Sequence, residues 1–325
     1  MRNNRLKNLC VNDSPKKRQR LFPSFGRVRG GGVRGGRWNQ LSLFLLIVGI
    51  NMILIHYLAW GTAHLLWQSI SLDNPASNLE NPAIVRYINT VTSIVVFGFS
   101  SLLYAFIVNN GKPFSYLKMD KGFKWNRLLL LLLIFCASLP ALSWIIKWNE
   151  GLHLPQTLSA IEQWMREQEE TSTVLTKQML SGTSLSVLFA NLLAMAIVPA
   201  VCEELFFRGA LLSWLKNSFG KKHLAVWLSA IIFSAIHVQF FGFLPRMLLG
   251  AYFGYLFLWT GSLWTAIVAH FLNNAVIVVT AFLYNTGYIT TDYEQIGNGG
   301  EKVWAIFLSF GITTILMGKL WKDRV

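Results

Sequence analysis

The chain has 325 residues, of which 53% are hydrophobic and only 14% charged, and its mean hydropathy is +0.43. A soluble domain carries about a quarter charged residues, so this composition argues against a soluble enzyme, and three Cys are too few for a disulfide scaffold. The formal net charge of +14 points to nucleic acid or an anionic membrane surface, and the position of the charge decides between them.

Residues 1–40 hold 11 Lys and Arg against a single acid, Asp13, with a Gly/Arg-rich stretch from Gly26 to Gly36. They contribute +10, which leaves only +4 for the rest of the chain. Without apolar periodicity this segment reads as a disordered cytoplasmic tail, too long ahead of the first apolar run for a signal peptide. Its expected partner is anionic lipid, at about 1 kcal/mol per basic residue near the surface; no nucleic acid is expected.

Apolar runs of spanning length follow near 41–60, 88–108, 127–146, 184–215, 223–240, 244–260, 262–283 and 302–320. The expected fold is all-α, a polytopic membrane protein of about eight helices. Its divisions are the tail (1–40), N-terminal helices with an outer loop (41–180), a catalytic-type helical core (181–290), and a last helix with the C-terminus (291–325). With the N-terminus in the cytoplasm, 22 of the 29 basic residues fall inside and six outside, Arg246 among the six. Both termini are therefore expected in the cytoplasm. The longest outer connection, 147–183, is acidic. Within it Pro155, Leu158, Ile161, Trp164 and Met165 suggest a short helix with one apolar face, lying on the membrane interface or packed on the bundle.

Ionisable groups inside a span are costly, so each is a functional candidate. Here they concentrate in the second half: Glu203, Glu204 and Arg208 in the fourth span, His237 in the fifth, and His270, Asn273 and Asn274 in the seventh. Glu204 and Arg208 are spaced i,i+4 with the acid first, the favourable order for a pair on one helix. Glu203, turned by about 100°, is left without a local partner. Such a carboxylate suits a general base. A purely bracing role for both acids around Arg208 is the alternative. His270 and Asn274 share one helix face, whereas Asn273 points elsewhere and is expected to bind a neighbouring helix.

Taking the helix ends at Lys216, Lys222 and Ser262 as one level, 1.5 Å per residue places Glu203 at ~20 Å, His237 at ~22 Å, His270 at ~12 Å and Asn274 at ~18 Å. Three helices thus bring polar groups to similar depths. Glu203 with His237 could deprotonate a water, and His270 with Asn274 could donate to the developing oxyanion of peptide hydrolysis. Zinc bound by His and Glu is the stronger rival, and Cys202 as nucleophile the weaker, since it lies on another helix face. Two further rivals are a proton-coupled transporter and a non-catalytic membrane protein conferring immunity or scaffolding a partner.

Glu203, Glu204 and Arg208 in E-E-x-x-x-R, Phe233 and His237 in F-x-x-x-H, and His270 and Asn274 in H-x-x-x-N stand in this order on successive apolar helices. Together they resemble the CPBP family, the CAAX protease and bacteriocin-processing (Abi) intramembrane glutamic endopeptidases. The stretch Gly250–Asn274 is similar to its bacterial members. The resemblance covers about residues 184–284. It implies a metal-independent, cofactor-free mechanism in the bacterial inner membrane, with Glu203 and His237 activating water, His270 and Asn274 forming the oxyanion hole, and Glu204 and Arg208 in support. The implied substrate is a membrane-embedded or lipid-anchored protein or peptide.

Overall fold

The computed structural model describes residues 36–67, 80–290 and 303–322; the disordered-tail expectation for 1–40 lies outside them up to residue 35, and its end is corrected because residues 37–40 are already helical. The described residues are helical, with no strands among them. In chain order the main helices are α1 (Arg37–Leu66), α2 (Pro82–Val108), α3 (Leu128–Glu150), α4 (Ser159–Leu180), α5 (Leu185–Phe219), α6 (Lys222–Ala235), α7 (Phe243–Thr260), α8 (Leu263–Asn285) and α9 (Val303–Lys322).

Six of these are long and apolar enough to cross a membrane: α1, α2, α3, α5, α8 and α9. The expected count of about eight is not confirmed at the fifth and sixth stretches. Helix α6 has 14 residues, about 21 Å, and stops at Ala235 rather than continuing to 240. Helix α7 has 18 residues and carries the charged Arg246 in its first turn. The two pack tightly on each other because Gly250 has no side chain: a Cβ there would meet Ala230 Cα at 3.2 Å and Phe233 Cδ1 at 3.1 Å.

Lipid-facing and bundle-facing sides follow from the side chains. On α1 a stripe of Phe44, Ile47, Asn51, Ile55, Ala59 and Ala63 is buried at helical spacing, while Leu45, Ile53, Tyr57 and Leu65 stay exposed. The buried Asn51 is satisfied across the seam, donating to Ser100 Oγ on α2 at 2.9 Å. Helix α3 contains Pro140, which cannot donate and breaks the backbone ladder. Ser309 of α9 fills the gap. Its hydroxyl accepts from Ala141 N at 3.1 Å and donates to the Ala137 carbonyl at 2.5 Å, so α3 and α9 are joined through the break.

The ends of the bundle differ in character. At one end the loop between α2 and α3 holds the start of α8: Leu263 N donates to Lys118 O, Ser262 Oγ to Lys121 O, and Trp264 Nε1 to Met119 O. At the other end α4, longer than the short helix expected, covers the connection between α6 and α7. Trp164 packs on Phe240 with ring centroids 5.3 Å apart, and the Arg166 guanidinium lies 4.2 Å above the Phe241 ring. Asn149, in the last turn of α3, is buried and fully used. Its Nδ2 donates to Phe240 O and Phe241 O, and its Oδ1 accepts from Leu244 N. Within this clamped connection Val238 takes φ +53°, a left-handed conformation that costs a β-branched residue about 1–3 kcal/mol.

Candidate active site

Helix α5 supplies the acids, and it is not a regular α-helix. Residues Leu192–Ile197 and Leu205–Leu212 form π-helical turns, the second beginning directly after Glu204 and containing Arg208. Wider turns of this kind are frequent at functional sites, although a third, Ser93–Phe99 in α2, lines no part of this one.

Glu204 and Arg208 are buried, at 0% and 1% exposure. Arg208 NH1 donates to Glu204 Oε1 at 2.7 Å, and its NH2 donates to the Gly250 carbonyl on α7 at 2.8 Å. The guanidinium also lies 4.7 Å from the Phe233 ring centroid and 5.3 Å from that of Phe253. The i,i+4 pair expected from spacing is therefore present, and it ties α5 to α6 and α7.

The same oxygen, Glu204 Oε1, accepts from His270 Nδ1 at 2.9 Å. Since a carboxylate only accepts, the Nδ1 proton of His270 is assigned to that bond and Nε2 is left facing the site. The imidazole is stacked on Phe253, 5.0 Å away with planes 15° apart, and Phe233 meets its edge. Its Nε2 is 3.9 Å from Glu203 Oε2, beyond hydrogen-bond range, so a small group can bridge the two. His270 and Glu203 were placed ~8 Å apart in depth by straight-helix arithmetic. Their side-chain atoms nevertheless approach to 3.9 Å, as the convergence of the three helices predicts.

Glu203 remains 13% exposed and opens into a pocket of about 370 Å³. His237, His270, Asn274 and Arg246 line the same pocket. His237 lies just past the end of α6, where its Nδ1 donates to the Phe233 carbonyl at 2.7 Å; Nε2 is thereby the unprotonated nitrogen of the neutral ring. Asn274 uses one Nδ2 proton on the Met195 carbonyl at 3.2 Å and accepts from Asn273 on Oδ1 at 3.1 Å. Asn273 thus orients Asn274 instead of a neighbouring helix, which corrects the expectation for it.

All six candidate residues converge: four line the pocket, and Glu204 and Arg208 stand behind it. Sequence reasoning missed three contributors. Arg246, counted with the outer connections, lies in α7 and lines the pocket, its guanidinium against Gly242 and hydrogen-bonded to Gln239 Oε1 at 2.7 Å. Glu169 of α4 also lines the pocket and accepts from Phe241 N at 3.1 Å. Asn149 fixes the connection that follows His237. The only available signal was a polar residue at the end of an apolar run. Cys202 is buried and packs at Gly98 of α2, away from these groups. Among the described residues, no three His, Cys, Asp or Glu side chains are grouped to hold a metal ion.

A bundle of membrane-length helices enclosing a pocket of about 370 Å³ lined by three carboxylates, two imidazoles, two amides and a guanidinium defines an integral membrane protein with an enzyme-like site. Residues 185–276 match the family model described as type II CAAX prenyl endopeptidase Rce1-like, which bears out the resemblance read from the motifs. The uncharacterized protein YpbD of Bacillus subtilis (strain 168) is 27% identical over 90 residues, 26% of this chain and 43% of YpbD. The chain thus matches less than half the length of that relative. No solved structure matches.

Proposed function

We propose that this protein is an intramembrane endopeptidase that hydrolyses a peptide bond of a membrane-embedded or lipid-anchored protein or peptide. The observation that carries the reading is the division of labour between adjacent acids. Glu204 is consumed by Arg208 and His270, while Glu203 is the carboxylate left open to the pocket that holds His237, His270 and Asn274.

In the reaction, Glu203 and the Nε2 lone pair of His237 hold a water and take its proton as the oxygen attacks the scissile carbonyl carbon. The oxyanion of the tetrahedral intermediate accepts from the second Nδ2 proton of Asn274 and from His270 Nε2–H. That second donor requires the His270 imidazolium, and the Glu204 carboxylate on its Nδ1 is placed to compensate that charge while Glu203 holds the water's proton. Collapse of the intermediate breaks the C–N bond, and the proton held by Glu203 passes to the leaving amine. Arg208 holds Glu204 in an ion pair and keeps α5 docked on α7.

The bacterial inner membrane is the location that fits the motif context. Cytoplasmic termini agree with the basic-residue bias, and the basic tail then meets anionic lipid. Membranes from cells carrying wild-type protein and its Glu203→Gln variant provide the test, by mass-spectrometric mapping of protein termini. Substrates accumulate uncut in the variant. Identical termini in both, with cellular activity retained, would favour a non-catalytic immunity or scaffold protein.

A further inference from the structure

A second pocket, of about 460 Å³, lies between the start of α3 and the end of α9, away from the candidate active site. Its lining is divided by chemistry. Lys124, Arg127, Lys319 and Asn126 form the polar part, and leucines of the first turns of α3 and the last turns of α9 form the rest. No Asp or Glu lines it.

Three observations define what fits. Arg127 is a built element of the site: it is only 7% exposed, and it immediately precedes the first turn of α3. That turn contains no acid and no side-chain cap, so no carboxylate offsets the guanidinium from the start of α3. Depth is the second observation. The cations sit where two membrane-length helices end, and Trp125 (77% exposed) and Trp321 (42% exposed) stand at the same level, as interfacial aromatic residues do. The third is the leucine wall. Leu129 and Leu133 are exposed on the outside of the bundle directly below the cations, which suits hydrocarbon and not a soluble ligand.

We infer that this pocket binds an anionic phospholipid, with its phosphate on Arg127, Lys124 and Lys319 and its acyl chains along Leu129, Leu133 and Leu316. A guanidinium held in place can bind phosphate oxygens bidentately, and basic pockets between transmembrane helices suit such headgroups. The bound lipid bridges α3 and α9 at the end opposite Asn149, and it is separate from any lipid attracted to the basic tail.

The test uses the full chain in mild detergent, titrated with palmitoyl-oleoyl phosphatidylglycerol or phosphatidylcholine and read by native mass spectrometry and thermal unfolding. One phosphatidylglycerol is retained per chain and raises the unfolding midpoint, whereas phosphatidylcholine does neither. Removing two pocket cations in Lys124→Gln/Lys319→Gln weakens retention by about tenfold or more. The exposed pair Lys112→Gln/Lys221→Gln, outside the pocket, leaves it unchanged. If the pocket pair fails to fold, Lys319→Gln alone, at an exposed position near the end of α9, gives the same comparison. Equal losses in both pairs would reduce the effect to diffuse surface charge and overturn the site. Protection by inorganic phosphate or glycerol 3-phosphate equal to that by phosphatidylglycerol would overturn a lipid as its ligand.

Discussion

His270 and Arg208 share one oxygen: Nδ1 of the imidazole and NH1 of the guanidinium lie 2.9 and 2.7 Å from Oε1 of Glu204. A single buried carboxylate therefore fixes both the orientation of a pocket-lining histidine and the ion pair that docks α5 on α7. The adjacent Glu203 is left open to water. Placing two carboxylates side by side creates this asymmetry only because one of them is already bound from two directions.

Neighbouring substitutions should therefore separate stability from activity. Glu204→Gln leaves Arg208 as an uncompensated buried charge and costs about 3–5 kcal/mol. Glu203→Gln, in a position without a hydrogen-bonded partner, changes stability by less than about 1 kcal/mol but lowers cleavage at least about 100-fold. Denaturant unfolding in detergent and substrate turnover in membranes measure the two. Equal destabilisation by both would return Glu203 to a bracing role.

Asn274→Ala removes one oxyanion donor and lowers kcat about 100- to 1,000-fold, with KM little changed. Asn273→Ala frees Asn274 Oδ1 without removing a donor, so its effect is smaller. Steady-state kinetics on an identified substrate distinguish these. A parallel incubation with a metal chelator leaves turnover unaltered, whereas chelator-sensitive turnover with stoichiometric metal would point to a zinc hydrolase.

Gly250→Ala should destabilise the protein by about 1–3 kcal/mol, because the new methyl meets the Ala230 backbone rather than a movable side-chain end. The shift also moves the carbonyl that receives Arg208. Activity then falls with stability, and a variant as stable and active as wild type would contradict the close approach of α6 and α7.

Acid should loosen the cover formed by α4. Glu162 accepts from Arg166, from Leu154 N and from His153, and these bonds, the Arg166 contact foremost, hold its pKa down at about 2. A depressed carboxylate contributes fully above its unfolded value of 4.5 and loses that contribution as pH falls towards 2. Trp164 fluorescence, or proteolysis of the 147–183 segment, should change across that window. Glu162→Gln should show the loosened state already at neutral pH.

Much of this protein was legible from local pattern. Hydrophobic run length predicted membrane helices, and i,i+4 spacing predicted the Glu204–Arg208 pair. Polar residues in otherwise apolar runs marked Glu203, Glu204, Arg208, His237, His270 and Asn274, but not Arg246, Glu169 or Asn149, whose places near helix ends or in the acidic connection resembled those of loop residues. The count of about eight spans was not confirmed at α6 and α7, because hydropathy measures composition. It does not register where Asn149 and Glu169, distant in sequence, take up the backbone groups of the intervening connection.

The strong basic charge of the chain, concentrated in residues 1–40, and the rare acids within its apolar runs are properties of the sequence alone. Glu203 and Glu204 are adjacent and chemically identical; the i,i+4 Arg208 already distinguishes them locally, and tertiary structure adds the approach of His270 from α8 to Glu204 and of the Gly250 carbonyl from α7 to Arg208. Their local spacing determines which way each side chain points. The partners it meets depend on helices separated by 40 to 70 residues, whose contacts arise only when the bundle closes.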